Sequence, residues 1–196
     1  MTKDAVLEKR TQRRAQAHAA TRGAILDAAR RVAARDGSRD LSLRGVAAEA
    51  GFAPAALYGY FTGKDELLLA LAAEELTVIA RAMREAAAGT TQRLSAAAGA
   101  ALDHLRDAEA LAAALCAMPV AAGEAERLFN GRLIAALKVL SEVSGNPAAT
   151  RDGQRDVVLL AATLAGLALL TRSGRLDVLG FETDEMVKRL ERVFVA

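Results

Sequence analysis

Alanine content constrains this fold more than any other feature: the chain holds 47 alanines and only three prolines in 196 residues. Alanine is the best helix former and is scarce in strands, while proline breaks helix interiors. No run sustains the period-two alternation of a half-buried strand. The expected fold class is therefore all-α. Hydrophobic residues make up 53% of the chain, enough to bury a core, which excludes an extended disordered chain. The single cysteine, Cys116, permits no intramolecular disulfide and fits a reducing compartment. Residues 1–22 are polar and basic, unlike the apolar core of a signal peptide. The longest apolar run, residues 157–170, is expected to be too short to cross a bilayer. From these features, a cytoplasmic protein with no membrane association is expected.

The formal net charge is only +2, but it is unevenly spread. Residues 1–64 carry 12 Lys/Arg against 6 Asp/Glu, and residues 65–196 carry 14 against 18. A basic first third suits a polyanion, because Lys and Arg supply most nucleic-acid affinity by neutralising phosphate. A solvated basic tail would show the same charge, so local patterning must decide.

Residues 1–20 show no apolar stripe, and Lys3, Lys9, Arg10, Arg13 and Arg14 read as a flexible basic arm. A first helix is expected at residues 21–35, with Thr21 as N-cap and Ile25, Leu26, Ala29, Val32 and Ala33 on one face. A short second helix follows, capped by Ser42 and ended by Gly51, with Leu43, Val46, Ala47 and Ala50 inward. A third opens at Pro54, whose fixed φ suits the first helical position. Leu57 and Phe61 point inward together, which turns Ala55, Ala56, Tyr58 and Tyr60 outward. Phe52 is expected in the core. Two short helices joined at a glycine and braced by a longer one form a helix-turn-helix. Thr62 is expected to cap a long helix at residues 64–88. Further helices are expected at residues 91–106, 107–117, 124–143, 154–173 and 184–195.

Residues 21–71 resemble the TetR/AcrR family of bacterial transcriptional repressors. The likeness rests on Ile25-Leu26-Asp27-Ala28-Ala29, Leu43-Arg44-Gly45-Val46-Ala47 and Ala50-Gly51-Phe52. It continues through Leu57-Tyr58-Gly59-Tyr60-Phe61 and Lys64-Asp65-Glu66-Leu67-Leu68. The resemblance implies a basic arm at 1–20, a DNA-binding domain at 21–64 and a ligand-binding and dimerisation body at 65–196. It places Arg44, Lys64 and the recognition stretch Pro54, Ala55, Ala56, Tyr58, Gly59 and Tyr60 against double-stranded operator DNA. Hydroxyls, cations and helix N-termini are good phosphate partners. Two departures matter: Ala53 stands where a serine cap is usual, and Ala55–Ala56 where a polar side chain often reads bases. Alanine can touch a thymine methyl but cannot donate a hydrogen bond, so base readout shifts to Arg44, Tyr60, the backbone and the basic arm.

The same resemblance implies a body that accepts a small-molecule effector of unknown identity. Its aromatics are three phenylalanines (129, 181 and 194), with no Trp or Tyr, so an aliphatic pocket is expected rather than an aromatic cage. By type and place, His104, Cys116, Met118 and Thr163 are the ligand candidates, against the blander alternative of core or surface residues. The helix at 154–173 is apolar almost all round, which suggests a homodimer. Val157, Leu160, Ala161, Leu164, Ala165 and Ala168 would meet a partner there, with Met186, Leu190, Val193 and Phe194 from the last helix, in a two-fold four-helix interface. An enzyme is disfavoured. The histidines are His18 and His104, neither in a Glu-x-x-His pair, and no phosphate loop or nucleophile elbow is present. No metal and no cofactor is expected. A membrane-surface helical protein is also disfavoured, since the basic arm offers only Val6 and Leu7 as bulky apolar residues.

Overall fold

The structure, a computed structural model, describes residues 3–117, 123–145 and 149–195. Ten helices and no strand occur among the described residues. The chain divides into two compact units, Met1–Leu71 and Ala72–Ala196, and helix α4 (Lys64–Ala87) contributes residues to both.

The first unit is built from α1 (Lys3–Asp36), α2 (Leu43–Ala50), α3 (Pro54–Leu57) and the start of α4. Ile25, Leu26, Ala29, Val32 and Ala33 of α1 are buried, together with Val46, Leu57, Phe61 and Leu67. The largest departure from expectation is residues 3–20, which continue α1 as regular helix rather than forming an irregular arm. Their side chains from Glu8 to Ala20 are all exposed. The missing apolar stripe was a sign of no packing partner, not of no structure. Alanine, arginine, glutamine and glutamate propagate a helix cheaply once packed residues downstream have met the nucleation cost. Thr21 is consequently no cap: its hydroxyl donates to the Ala17 carbonyl at 3.0 Å in mid-helix.

Ser42 caps α2 as expected, its Oγ accepting from Gly45 N–H at 3.1 Å. Gly51 ends α2 in the left-handed region at φ 74°, and Phe52 N–H reaches back to the Ala47 carbonyl at 2.9 Å. A side chain is strained at that φ, so the glycine sets the turn. Phe52 itself is half-buried rather than core, because the turn directs it to the edge of α2. Thr62 does not cap α4 with its oxygen. Its N–H and hydroxyl instead donate to the Glu66 carboxylate, both at 2.7 Å, and the first helical bond runs from Leu67 N–H to the Gly63 carbonyl.

The second unit packs the rest of α4 with α5 (Arg93–Leu105), α6 (Glu109–Ala117), α7 (Glu124–Ser144), α8 (Arg151–Arg172), α9 (Arg175–Val178) and α10 (Thr183–Phe194). Helix α8 begins earlier than expected because Thr150 caps it, accepting from Gly153 N–H at 3.1 Å. It lies against α5, α7, α9 and α10. At 22 residues it is long and apolar enough, by length and composition, to cross a membrane, so the 14-residue apolar run understated it. In this fold its buried face serves as core. Glu109 opens α6 while Glu75 of α4 accepts Leu111 N–H at 2.7 Å, an acidic partner suited to a helix start.

Candidate nucleic-acid interface and ligand cavity

In the first unit, the α2–α3 turn presents a connected exposed surface. Arg44 lies exposed on the first turn of α2, one residue beyond buried Leu43. Pro54, Ala55, Ala56 and Gly59 are exposed, Tyr58 is 62% exposed, and only Leu57 between them is fully buried. Because α3 has just four residues, Gly59 N–H and Tyr60 N–H close the following turn onto the Ala56 and Leu57 carbonyls at 3.2 and 2.9 Å. The surface offered is thus small side chains, backbone and one free phenol. That combination can approach a surface closely and hydrogen-bond phosphate.

Two expected contact residues carry contacts of their own within the unit. Tyr60 is half-buried, and its ring stacks on His18 of α1 with centroids 4.6 Å apart and planes 26° from parallel. Lys64 Nζ donates to the Arg39 carbonyl, tying the start of α4 to the α1–α2 loop. Arg22 lies 5.0 Å above the Phe61 ring. Sequence periodicity hides His18 from this site, because residues 1–20 carry no apolar stripe. Taken as helix, Arg14, His18 and Arg22 fall four apart on one side.

An ion-pair cluster fixes α2 on α1. Arg31 Nε and Arg35 Nη1 donate to the two Glu49 carboxylate oxygens at 2.7 and 3.1 Å. Those hydrogen bonds, that from Arg31 first, hold the Glu49 carboxyl below its ordinary value. Arg35 is raised above its own, chiefly by its bonds to Asp36 and then to Glu49.

The second unit contains two adjoining apolar cavities. One, of about 90 Å³, is walled by Leu76, Ile79 and Met83 of α4 with aliphatic residues of α5, α6, α7 and α8. The other, of about 110 Å³, lies between α5, α6 and α8, and Arg172 is the one charged residue in its wall. Leu105, Leu111, Leu115 and Ala165 line both. The expected aliphatic character matches these walls, but the expected ligand residues do not. His104 is exposed and lines neither cavity. Thr163 donates its hydroxyl to the Leu159 carbonyl of its own helix at 2.8 Å, as helical threonines commonly do. Met118 and the Cys116 side chain lie outside the described residues.

The expected dimer residues separate into two sets. Val157, Leu160, Leu164, Ala168 and Leu190, expected against a partner, are buried inside their own bundle. A helix apolar all round has one face in its own core. Ala165 and Val193 are exposed, and Ala161, Met186 and Phe194 are half-buried. The exposed residues of α8 are instead Val158, Leu159, Ala162, Ala165, Gly166 and Leu169, at helical offsets 0, 1, 4, 7, 8 and 11, and of these Ala165 and Leu169 also border the cavities.

Residues 25–71 match the bacterial regulatory proteins of the tetR family, the span that contains the helix-turn-helix just described. The chain carries a tetR-family domain. The HTH-type nicotine-responsive transcriptional repressor HdnoR of Paenarthrobacter nicotinovorans is 48% identical over 59 residues, 30% of this chain and 30% of that repressor. Over 90% of the chain, the fold resembles a protein of unknown function from Rhodococcus sp. RHA1, at 27% identity with 96% of that chain covered and a TM-score of 0.67. The transcriptional regulator FadR of Bacillus subtilis, solved with stearoyl-CoA, aligns over 88% of this chain and 97% of its own. Its identity is 18% and its TM-score 0.62. The tetR-family domain thus lies in the first unit, and the likeness of the second unit is one of fold.

Proposed function

We propose that this tetR-family protein is a cytoplasmic DNA-binding transcriptional regulator, a repressor that holds a palindromic operator as a homodimer and leaves it when a small molecule enters the body. The observation that carries the proposal is the exposed Arg44, Tyr58 and α3 backbone on a helix-turn-helix with tetR-family sequence. Arg44, Tyr58 and the N-terminus of α4 meet phosphate, and the small surface of Pro54, Ala55, Ala56 and Gly59 lets the backbone close on the groove. Tyr60 acts from its place against His18. The similarity to a nicotine-responsive repressor and the acyl-CoA bound to a protein of the same fold support ligand control.

Dimerisation falls to the outer stripe of α8 with Val193, Met186 and Phe194 of α10. Three small residues in that stripe, Ala162, Ala165 and Gly166, allow a partner helix close approach. The test is fluorescence anisotropy of a labelled duplex from the upstream region of the protein's own gene, with unrelated duplex as competitor. Half-maximal binding at nanomolar protein, with at least 10³-fold preference over the competitor, is expected at physiological salt. Equal affinity for both duplexes would remove the operator from the proposal.

A further inference from the structure

The two cavities of the second unit differ in one respect that bears on what they can hold. Among the described residues, the α4-side cavity is walled by apolar side chains. The second shares Leu105, Leu111, Leu115 and Ala165 with it, and Arg172 is the one charged residue in its wall. Apolar ligand surface is favoured in both, and a single cation borders one of them. Arg172 Nη1 donates to Glu109 Oε1 at 2.9 Å, and both side chains are well exposed, at 38% and 40%. A carboxylate already sits where a ligand's head group would.

We propose that the effector is an alkyl chain ending in a carboxylate, its tail in the aliphatic cavity and its head on Arg172 in place of Glu109. This rests on ligand control as proposed above and names the ligand's class. The exposed Glu109–Arg172 pair contributes little to stability and is given up at small cost, whereas a carboxylate held against the guanidinium by a bound tail gains a charge-assisted hydrogen bond in a drier setting. The tail then supplies the affinity. Each methylene buried strengthens binding about fourfold. The head supplies the selection: an amine would face Arg172 with like charge, and an alcohol would leave Glu109 in place. Glu109 opens α6, so its release couples the head group to a wall of both cavities.

The test uses the full-length protein without DNA, titrated calorimetrically with hexanoate, octanoate, 1-octanol and octylamine. Octanoate should bind at least tenfold tighter than either the alcohol or the amine, and about sixteenfold tighter than hexanoate. Arg172→Gln should weaken octanoate at least tenfold and leave 1-octanol unchanged, whereas Glu109→Gln should tighten octanoate. Arg172→Glu should reverse the preference towards octylamine. Ala136→Leu, which narrows the far cavity, should weaken octanoate more than hexanoate. Equal binding of octanoate and 1-octanol, or octanoate affinity unmoved by Arg172→Gln, would overturn the proposal, as would no binding of octanoate to a folded protein. Operator binding is read separately, so its loss or retention judges the regulator proposal alone.

Discussion

Substituting Leu164 and Leu159, five residues apart on α8, should give opposite kinds of damage. Leu164 is 2% exposed inside the second unit, whereas Leu159 is 59% exposed on the outer stripe. Leu164→Ala removes a buried side chain from a site already beside a cavity, since Leu164 lines the aliphatic one. The expected cost is about 2–5 kcal/mol. For a unit of this size that lowers Tm by about 6–20 °C. The loss should not depend on protein concentration, because the contacts are within one chain. Leu159 is mostly exposed, so Leu159→Asp should cost the single chain only about 0.5 kcal/mol. It should nevertheless convert dimers to monomers in light scattering, and its apparent Tm should lose the concentration dependence of an associating system. Scattering and thermal melts across a hundredfold concentration range measure both quantities. A Leu164→Ala deficit that grows on dilution, or dimers surviving Leu159→Asp combined with Leu169→Asp, would refute this assignment of the two faces.

Arg44→Ala should lower the slope of log affinity against log salt by about 0.9, one phosphate contact, and Tyr58→Phe should weaken all duplexes alike by about 1 kcal/mol; anisotropy over a salt series separates them. His18→Ala should weaken operator binding about 2- to 10-fold by freeing Tyr60, and His18→Phe, which keeps a stacked ring, should restore it. If both variants behave alike, the stack does not position Tyr60. Glu49 has its carboxyl held low in the folded state, so its contribution is present above the ordinary value of 4.5 and is lost as pH falls through the lowered value. Glu49→Gln should therefore lower stability at neutral pH and flatten the acid limb of a denaturation curve below about pH 4.5, the neutral amide having no proton to take up.

Most of the first unit was legible because its signals are local. Ser42, Gly51 and Pro54 each act through their own backbone neighbourhood, and the structure places all three where their chemistry requires. The errors arose where the outcome depended on a distant partner. Residues 3–20 form helix without an apolar stripe because helix propensity and a stable neighbour suffice, so periodicity alone could not reveal them. Thr62 looks like a cap, but Glu66 offers its hydroxyl a carboxylate one turn away. On α8, hydrophobicity all round signals two buried faces but not which face lies in the chain's own core. Side-chain size does not supply the missing signal, since exposed Val158, Leu159 and Leu169 match buried Val157, Leu160 and Leu164 in type. The cavity's Arg172 could not be found from sequence, since it borders a site formed by α5, α6 and α8 together.

Helix α4 gives the proposed switch a physical route. Its first residue, Lys64, is tied to the Arg39 carbonyl in the first unit, and its residues Leu76, Ile79 and Met83 wall the aliphatic cavity. Lys64 and Leu76 belong to the same helix. A ligand in the cavity therefore touches the helix whose first residue is Lys64. Filling the space is not sufficient, because a ligand bound equally well in the DNA-bound and free arrangements shifts nothing. The cavity must be larger, or Arg172 freer of Glu109, in the arrangement that releases DNA. A coupling of about 1–3 kcal/mol, or 5- to 150-fold, is the usual range for such a link. Reciprocity makes this measurable from the other side. Saturating operator should weaken ligand binding by the same factor that saturating ligand weakens operator binding. Equality holds for any route at equilibrium, so the refuting result is a ligand that binds the cavity yet leaves operator affinity unchanged, and α4 would then not be a transmitter.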